Sequence, residues 1–230
     1  MNNISINLKK INKELDKSNP IKILEYCFEH EYLTKISYVC SFGSESAVIL
    51  HMISKLKKDL PIFFLNTHFI FEETIEYKKK LIDLLNLENC TEVYPKDFDL
   101  NCYDQKNDLW KTDPDLCCKI RKILPLNKVL NDYNAWISGR KSYHKADRKN
   151  LKLFEFIDNK IVINPLKNFD FKDVSNYFTK FNLPEHPLRI KNYFSIGCTN
   201  CTTPITNLNQ IRSGRWSDSK KTECGIFYKK

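Results

Sequence analysis

Residues 36–56 read ISYVCSFGSESAVILHMISKL, and they contain the strand, turn and helix from which the fold class is predicted. Its first five residues form an apolar run that predicts a buried strand, and residues 47–56 are typical of a helix. The turn SFGSES, residues 41–46, joins the two. Such a turn suits an anion, because backbone N–H groups and the helix dipole favour negative charge at a helix N-terminus. The turn matches neither the Walker motif nor the GxGxxG motif. A helix that is capped by serine and binds no ligand would have the same sequence pattern.

Strand-like and helix-like segments alternate along the rest of the chain. Apolar runs predict further strands at residues 61–66, 90–95, 135–139 and 161–166. Helical patterns cover residues 72–86, 117–133 and 171–181. Pro125 should bend or divide the second of these helices. The alternation predicts an α/β fold with a mainly parallel sheet and helices on both faces, and the pattern stops near residue 183.

Length and charge narrow the class of protein without selecting a partner. The chain has 230 residues, which suits one domain or one domain with an appendage. Its net charge is +9, but the lysines are spread out and form no long basic arm. No apolar run approaches the ~20 residues of a membrane span, and the polar N-terminus lacks the apolar core of a signal peptide. We therefore expect a cytoplasmic protein that binds no membrane.

Four of the nine cysteines form two close pairs. Cys117 and Cys118 are adjacent, and Cys198 and Cys201 form a C-x-x-C. In a reducing compartment, metal binding or catalysis is a better explanation for such thiols than disulfides. Four thiolates suit zinc or an iron–sulfur cluster. Two adjacent cysteines cannot easily bind one small ion such as zinc, whereas a cubane cluster offers them separate irons. The spacing therefore favours an iron–sulfur cluster. A zinc site and four unrelated thiols remain alternatives.

Cys224 lies close to the end of the chain, in KKTECGIFYKK. The neighbouring lysines favour its thiolate, and Glu223 opposes it. An incidental exposed thiol would have the same surroundings. The other four cysteines have no such context and are expected to be ordinary thiols: Cys27, Cys40, Cys90 and Cys102.

Seven segments resemble, in chain order, motifs of the sulfonucleotide reductases, which are adenine-nucleotide enzymes of the PP-loop type. They are SFGSES (41–46), LNTHFIFEET (65–74), CCKIRKILPL (117–126), ISGRKSYHKADR (137–148), YFSIGCTNCT (193–202), RSGRW (212–216) and TECGIF (222–227). The resemblance covers nearly the whole chain. The adjacent cysteines followed by C-x-x-C mark the branch of the family that carries a [4Fe–4S] cluster and prefers adenosine 5′-phosphosulfate.

The chain departs from the family motifs at a few positions. Asn66, His68 and Glu72 stand where the family has Asp, Gly and Pro, and Asn200 replaces a Pro. Phe227 replaces a terminal His that is expected near the substrate anion.

Other side chains are candidates to compensate for these departures. For the lost histidine they are His144, His68, Lys229 and Lys230. In the 137–148 loop, Ser142 replaces an Arg, Tyr143 replaces a Phe and His144 replaces a Gln. The cation that is lost with the Arg could be replaced by Lys145 or Arg148.

The resemblance implies reduction of adenosine 5′-phosphosulfate to sulfite and AMP in assimilatory sulfate reduction. Cys224 would be the nucleophile that carries an S-sulfo group, and a dithiol such as thioredoxin or a glutaredoxin-like protein would release sulfite. The implied substrate-binding residues are Ser41, Phe42, Gly43, Ser44, Ser46, Thr67, Lys122, Arg140, Lys141, Arg212 and Arg215, with some help from Arg121. The implied ligands of one [4Fe–4S] cluster are Cys117, Cys118, Cys198 and Cys201.

The implied fold is that of PP-loop proteins, of the adenine nucleotide alpha hydrolase type. Residues 1–205 would form the nucleotide- and cluster-binding domain, and residues 206–230 the substrate-contacting segment and catalytic tail. A homo-oligomer is possible, and no nucleic acid is expected as a partner.

Three alternatives stay open. One is the same chemistry on 3′-phosphoadenosine 5′-phosphosulfate. Another is a PP-loop enzyme that thiolates tRNA, although Phe42 and Glu45 depart from the SGGxDS-like loop of that class. The third is a nucleotide-binding module that holds zinc and has no catalytic activity.

Overall fold

A six-stranded sheet forms the centre of the chain, in the order β3-β2-β1-β4-β6-β5. The computed structural model describes residues 2–144, 148–207, 210–217, 219 and 221–227, with the side chains from residue 8 onward. The strands are β1 (Ile36–Cys40), β2 (Ile62–Leu65), β3 (Cys90–Val93), β4 (Ala135–Ile137), β5 (Phe154–Ile157) and β6 (Lys160–Ile163). All neighbours pair in parallel except β5 and β6, which form an antiparallel hairpin. The predicted mainly parallel sheet is confirmed.

Nine α-helices are described around the sheet. They are α1 (Asn2–Leu15), α2 (Pro20–Glu29), α3 (Ser46–Leu56), α4 (Glu72–Leu85), α5 (Asp97–Tyr103), α6 (Leu109–Thr112), α7 (Pro114–Cys118), α8 (Leu124–Leu130) and α9 (Phe171–Lys180). Local sequence fixes several of their ends. Asn19 caps α2 ahead of Pro20, Asn86 ends α4 in the left-handed conformation with φ 48°, and Asp170 begins α9 with a capping box.

The core lies on both faces of the sheet. Along β2, Ile62 and Phe64 belong to one buried cluster, and Phe63 between them belongs to the other. Trp136 of β4 and Leu126 of α8 join Phe63, so α8 covers that face. This alternation follows from the two-residue repeat of a strand. It confirms that helices cover both faces.

The predicted helix over residues 117–133 is divided into three pieces. Between α7 and α8 lies a π-helical turn, Lys119–Ile123. Pro125 stands in the first turn of α8, where a missing N–H costs little. Since Pro125 cannot donate to the carbonyl four residues earlier, the regular α-helical bonding is interrupted at this point.

Strand β5 is not among the strands predicted from the sequence. A signal for it was present, because Asp158 and Asn159 separate two apolar runs, and both adopt positive φ, 48° and 61°. Two such residues between strands are typical of a tight hairpin turn.

Candidate functional site

The first loop, residues 41–46, follows β1 at the carboxyl edge of the sheet. Its conformation is fixed by contacts with the segment that ends in the C-x-x-C. The hydroxyl of Ser44 donates to the carbonyl oxygen of Phe194 at 2.5 Å. A Cβ on Gly43 would lie 3.4 Å from the carbonyl oxygen of Ile196, so the two backbones approach closely there.

Phe42 departs from the expected arrangement. Its φ is 47°, and its buried ring packs edge-on against Phe64 with centroids 5.5 Å apart. The structure therefore directs its side chain into the core rather than toward a ligand. The buried ring of Phe42 anchors the first loop to the hydrophobic core.

A cavity of about 210 Å³ opens beside this loop. Strand ends, the π-helical turn, the loop after β4 and the C-terminal segment all contribute to its wall. The sequence-predicted residues that line it are Ser41, Gly43, Ser44, Ser46, Thr67, Lys122, Arg140, Lys141, Arg212, Arg215 and Cys224. The structure thus brings together every candidate for substrate contact except Phe42 and Arg121. A parallel sheet places its ligand site at this edge because the carboxyl ends of its strands meet there.

Several cations of the cavity are already paired with acidic side chains. Lys141 lies 2.9 Å from Glu45, and Arg140 forms an ion pair with Glu155. Burial raises the pKa of Glu45, but Lys141, His144 and Tyr143 together outweigh this effect and hold the pKa of the carboxyl well below its usual range. Glu45 was noted in the sequence only as a departure from another class of loop, and its pairing was not foreseen.

Lys122 and Arg215 have different surroundings. In the described part of the chain, neither forms an ion pair with a carboxylate. Arg215 Nε donates to the Cys201 carbonyl oxygen at 3.1 Å. Its guanidinium group lies against Gly197, where an added Cβ would be 2.3 Å from Nη2. Burial lowers the pKa of Lys122, but nearby cysteines, Cys198 first among them, raise it well above its ordinary value. These two side chains supply positive charge that no described carboxylate cancels.

Cys224 lies in the cavity wall, just before the short 3₁₀ turn Gly225–Phe227. A hydrogen bond from Cys118 lowers its pKa, burial raises it, and the charge of Lys122 lowers it again, with a net fall well below the usual value. If Cys118 were a metal ligand it would not donate, and Lys122 and the backbone N–H of Ile226 would still stabilise the Cys224 thiolate. The surroundings of Cys224 therefore favour a nucleophilic sulfur.

The tail is anchored on both sides of Cys224. Before it, the buried carboxylate of Glu223 accepts from Arg148 Nη2 at 3.0 Å and pairs with Arg212 Nη2 at 3.2 Å. After it, the ring of Phe227 stacks on Trp136 with centroids 5.5 Å apart. These contacts hold the thiol at the cavity.

Phe227 also contacts Arg140, whose guanidinium carbon lies 4.0 Å from the ring centroid. Of the residues considered as replacements for a histidine at this position, His144 lines the cavity, and burial lowers its pKa to about 4. His68 is exposed beside Tyr94. Lys145, Lys229 and Lys230 lie outside the described residues.

The four paired cysteines line a second, smaller cavity. Its wall consists of Cys117, Cys118, Cys198, Cys201, Phe69, Trp110, Pro114, Arg121 and Lys122. Burial raises the pKa of Cys117 to about 12, so the free thiol is neutral there. Within residues 2–144, 148–207 and the described tail, no three such side chains are close enough to hold a single metal ion. The four thiols nevertheless border one cavity, and cysteine thiolates are the usual ligands of iron–sulfur clusters.

Arg121 has a structural role instead of the predicted help with substrate. Its Nε and Nη2 donate to Asp104 at 3.0 and 2.6 Å, and Nη1 donates to the carbonyl oxygen of Thr67 at 2.9 Å. Both charged side chains are almost completely buried. Arg121 therefore joins the π-helical turn to the loop after β2.

None of the described helices combines the length and apolar character that crossing a bilayer requires.

Comparison with known proteins gives a consistent result. Residues 35–204 match the model of the phosphoadenosine phosphosulfate reductase domain. A protein of Chelativorans sp. (strain BNC1), called adenosine 5′-phosphosulfate reductase, is 44% identical over 83% of this chain and 78% of its own length. One of the same name from Bacillus cereus (strain AH187) is 37% identical over 94% of this chain and 93% of its own.

Solved structures agree with the sequence comparisons. The phosphate complex of phosphoadenylyl-sulfate reductase from Candida auris matches with a TM-score of 0.70 and 26% identity, covering 83% of this chain and 93% of that one. Yeast FAD synthetase matches with a TM-score of 0.56 and 15% identity, covering 80% of this chain and 66% of that one, which indicates a shared fold alone.

Proposed function

The chain belongs to the phosphoadenosine phosphosulfate reductase domain family, and from that premise we propose that it reduces adenosine 5′-phosphosulfate to sulfite and AMP. A dithiol protein such as thioredoxin or a glutaredoxin-like reductant supplies the electrons, and the reaction serves assimilatory sulfate reduction. The observation that carries the proposal is that Cys224 lines the same cavity as the first loop and a group of cations.

The cavity suits an anionic substrate with an anionic nucleophile. Attack of a thiolate on a phosphosulfate brings like charges together, so cations must first reduce the repulsion. Lys122 and Arg215 meet this need, since no described carboxylate neutralises them. The serines and backbone N–H groups of residues 41–46 are the natural contacts for the phosphate.

The reaction then proceeds through two sulfur transfers. The Cys224 thiolate attacks the sulfur of the sulfo group, an S–S bond forms, the S–O bond breaks, and AMP leaves with the oxygen. A thiolate of the reductant attacks Cys224 Sγ and releases sulfite, leaving a mixed disulfide. The second thiol of the reductant resolves that disulfide, so the dithiol is oxidised and the Cys224 thiolate is restored.

We propose that Cys117, Cys118, Cys198 and Cys201 hold one [4Fe–4S] cluster. The proposal is supported by the four cysteines lining one cavity, with Phe69 and Trp110 in its wall, because four thiolates are the ligand set of such a cluster. When bound, the cluster would supply charge beside Lys122 and tie the π-helical turn to the C-x-x-C segment. Iron and sulfide analysis of anaerobically purified protein distinguishes it from zinc.

A second candidate substrate is 3′-phosphoadenosine 5′-phosphosulfate, because the Candida auris neighbour is named for reducing it. We favour the nucleotide without the 3′-phosphate, since Glu45 and Glu155 already neutralise Lys141 and Arg140. Turnover of the two nucleotides, compared side by side, separates these candidates. The reported family relatives are reductases, and they give no support to tRNA thiolation or to a non-catalytic zinc module.

The division into residues 1–205 and 206–230 stays a prediction. An isolated bridge between Thr202 and Arg215 joins the two parts.

One experiment tests substrate and nucleophile together. The purified protein is mixed with adenosine 5′-phosphosulfate labelled in its sulfur, with no reductant present. We expect label retained covalently on the wild type and absent from Cys224→Ser. Adding reduced thioredoxin should release it as sulfite. Sulfite production by Cys224→Ser at the wild-type rate would refute the proposal.

A further inference from the structure

We propose that Glu223 and Arg148 form a latch that positions the nucleophile-bearing tail over the cavity. This rests on the proposed function, because it takes Cys224 as the nucleophile. Glu223 and Arg148 are positioning residues and do not contact the reacting atoms. From the sequence, Arg148 was a candidate cation of the 137–148 loop, and its pairing with Glu223 was not predicted.

Glu223 is tied to the body of the protein by several hydrogen bonds. Its side chain is 5% exposed. Arg148 donates to both carboxylate oxygens, from Nε at 2.5 Å and from Nη2 at 3.0 Å. The same carboxylate accepts the backbone N–H of Cys224 at 2.9 Å. The paired charge therefore fixes the backbone that carries the reactive sulfur, one residue away.

Arg148 is fully engaged by the protein. While Nε and Nη2 bind Glu223, Nη1 lies 3.0 Å from His144 Nδ1. His144 Nε2 in turn lies 3.2 Å from Glu45 in the first loop. Arg148 and His144 thus lie between the tail and the loop that would hold the phosphate, although His144 Nε2 forms no hydrogen bond with Glu45. All three donor nitrogens of Arg148 have a partner within the protein, so the side chain is held in one position.

The tail is also held by the stack of Phe227 on Trp136 and by the ion pairs of Glu223 with Arg212 and of Lys221 with Asp115. Arg148 adds a contact with both oxygens of the carboxylate next to Cys224. The described part of the tail has one 3₁₀ turn, Gly225–Phe227, and no regular pairing with the sheet. A misplacement of ~1 Å can slow a bimolecular attack by about 100-fold. Because a bidentate arginine–carboxylate pair fixes both distance and direction, it is suited to hold the sulfur in line with its target.

The first measurement needs no substrate. The Lys221 side chain is buried and paired with Asp115, so trypsin cleavage after Lys221 requires the tail to open, and the cleavage rate follows the open fraction. Glu223→Gln keeps the shape of the side chain and removes its charge, and Arg148→Gln removes the partner. We expect each variant to be cleaved at least about tenfold faster than wild type. Asp59→Asn is the matched control, since it breaks an exposed pair with Lys57 and should be cleaved at the wild-type rate.

The second measurement is the single-turnover rate of label transfer to Cys224. We expect it to fall by about tenfold or more in each single variant, with the dissociation constant of the nucleotide changed much less. The double variant Glu223→Gln/Arg148→Gln should be no slower than the slower single variant, because the two side chains act as one unit. Circular dichroism and thermal melting confirm that each variant is folded.

The results separate the latch from the proposed function. Wild-type cleavage rates in both single variants, or fully additive losses in the double variant, would overturn the latch. If the wild type transfers no label, the proposed function fails, and the cleavage comparison still decides whether the latch exists.

Discussion

Phe227 offers a direct test of how the tail is held, because its ring makes two contacts whose strengths can be estimated. It stacks on Trp136 at 5.5 Å and 24°, and Arg140 lies 4.0 Å from its centroid. An aromatic pair contributes ~1 kcal/mol beyond its burial, and a cation over an aromatic ring contributes another ~1 kcal/mol. Losing both should shift the docking equilibrium by about 2 kcal/mol, or about 30-fold.

Phe227→Leu isolates that contribution, since leucine keeps apolar bulk and loses the ring. We expect single-turnover label transfer to Cys224 to slow by about 10- to 30-fold in Phe227→Leu, and further in Phe227→Ala. Phe227→Tyr keeps the ring and should stay close to wild type. The melting temperature should change little, because the sheet and its helices are untouched. Transfer within a factor of about two of wild type in Phe227→Leu would refute the estimate, since the stack and the cation contact would then contribute nothing to docking.

Three further predictions follow from other contacts. Gly197→Ala places a Cβ 2.3 Å from Arg215 Nη2, so the flexible Arg215 side chain should move away. We expect KM to rise about tenfold, with little change in melting temperature. An unchanged KM would exclude Arg215 from substrate binding. Asp104→Asn leaves Arg121 buried without its carboxylate, so urea unfolding should show a loss of about 3–5 kcal/mol, and a loss below ~1 kcal/mol would contradict this. Burial lowers the pKa of His186 to about 4, so the unfolded chain, with a pKa of ~6.5, takes up its proton first as the pH falls. The free energy of unfolding should therefore decrease by up to about 3 kcal/mol as the pH falls from ~6.5 to ~4. In urea unfolding at a series of pH values, His186→Gln should show a smaller decrease over this range. An equally large decrease in His186→Gln would show that His186 is not its source.

The parts of the molecule that depend on local sequence were predictable. The buried run of β1 and the periodicity of α3 define the first loop, because a strand and the helix after it are short-range features. The two cysteine pairs could also be recognised from the sequence, because their spacing limits which metal groups they can bind.

What could not be predicted depends on residues far apart in the chain. Glu223 meets Arg148 across 75 positions, and neither sequence context indicates the other. The ring of Phe42 turns into the core because its φ is 47°, a backbone choice that the residue type does not indicate. Likewise, Arg121 resembles a substrate contact in its motif, but Asp104 lies close enough to bind it only after the chain has folded.

The π-helical turn puts Lys122 in the wall of both cavities. Cys198 also lines both, so these two side chains separate the smaller, cysteine-lined cavity from the larger one. Oxidation of a thiol in the smaller cavity would therefore change the electric field in the larger one without moving the backbone. Damage by oxygen would reach the larger cavity through these two side chains before the fold itself is disturbed.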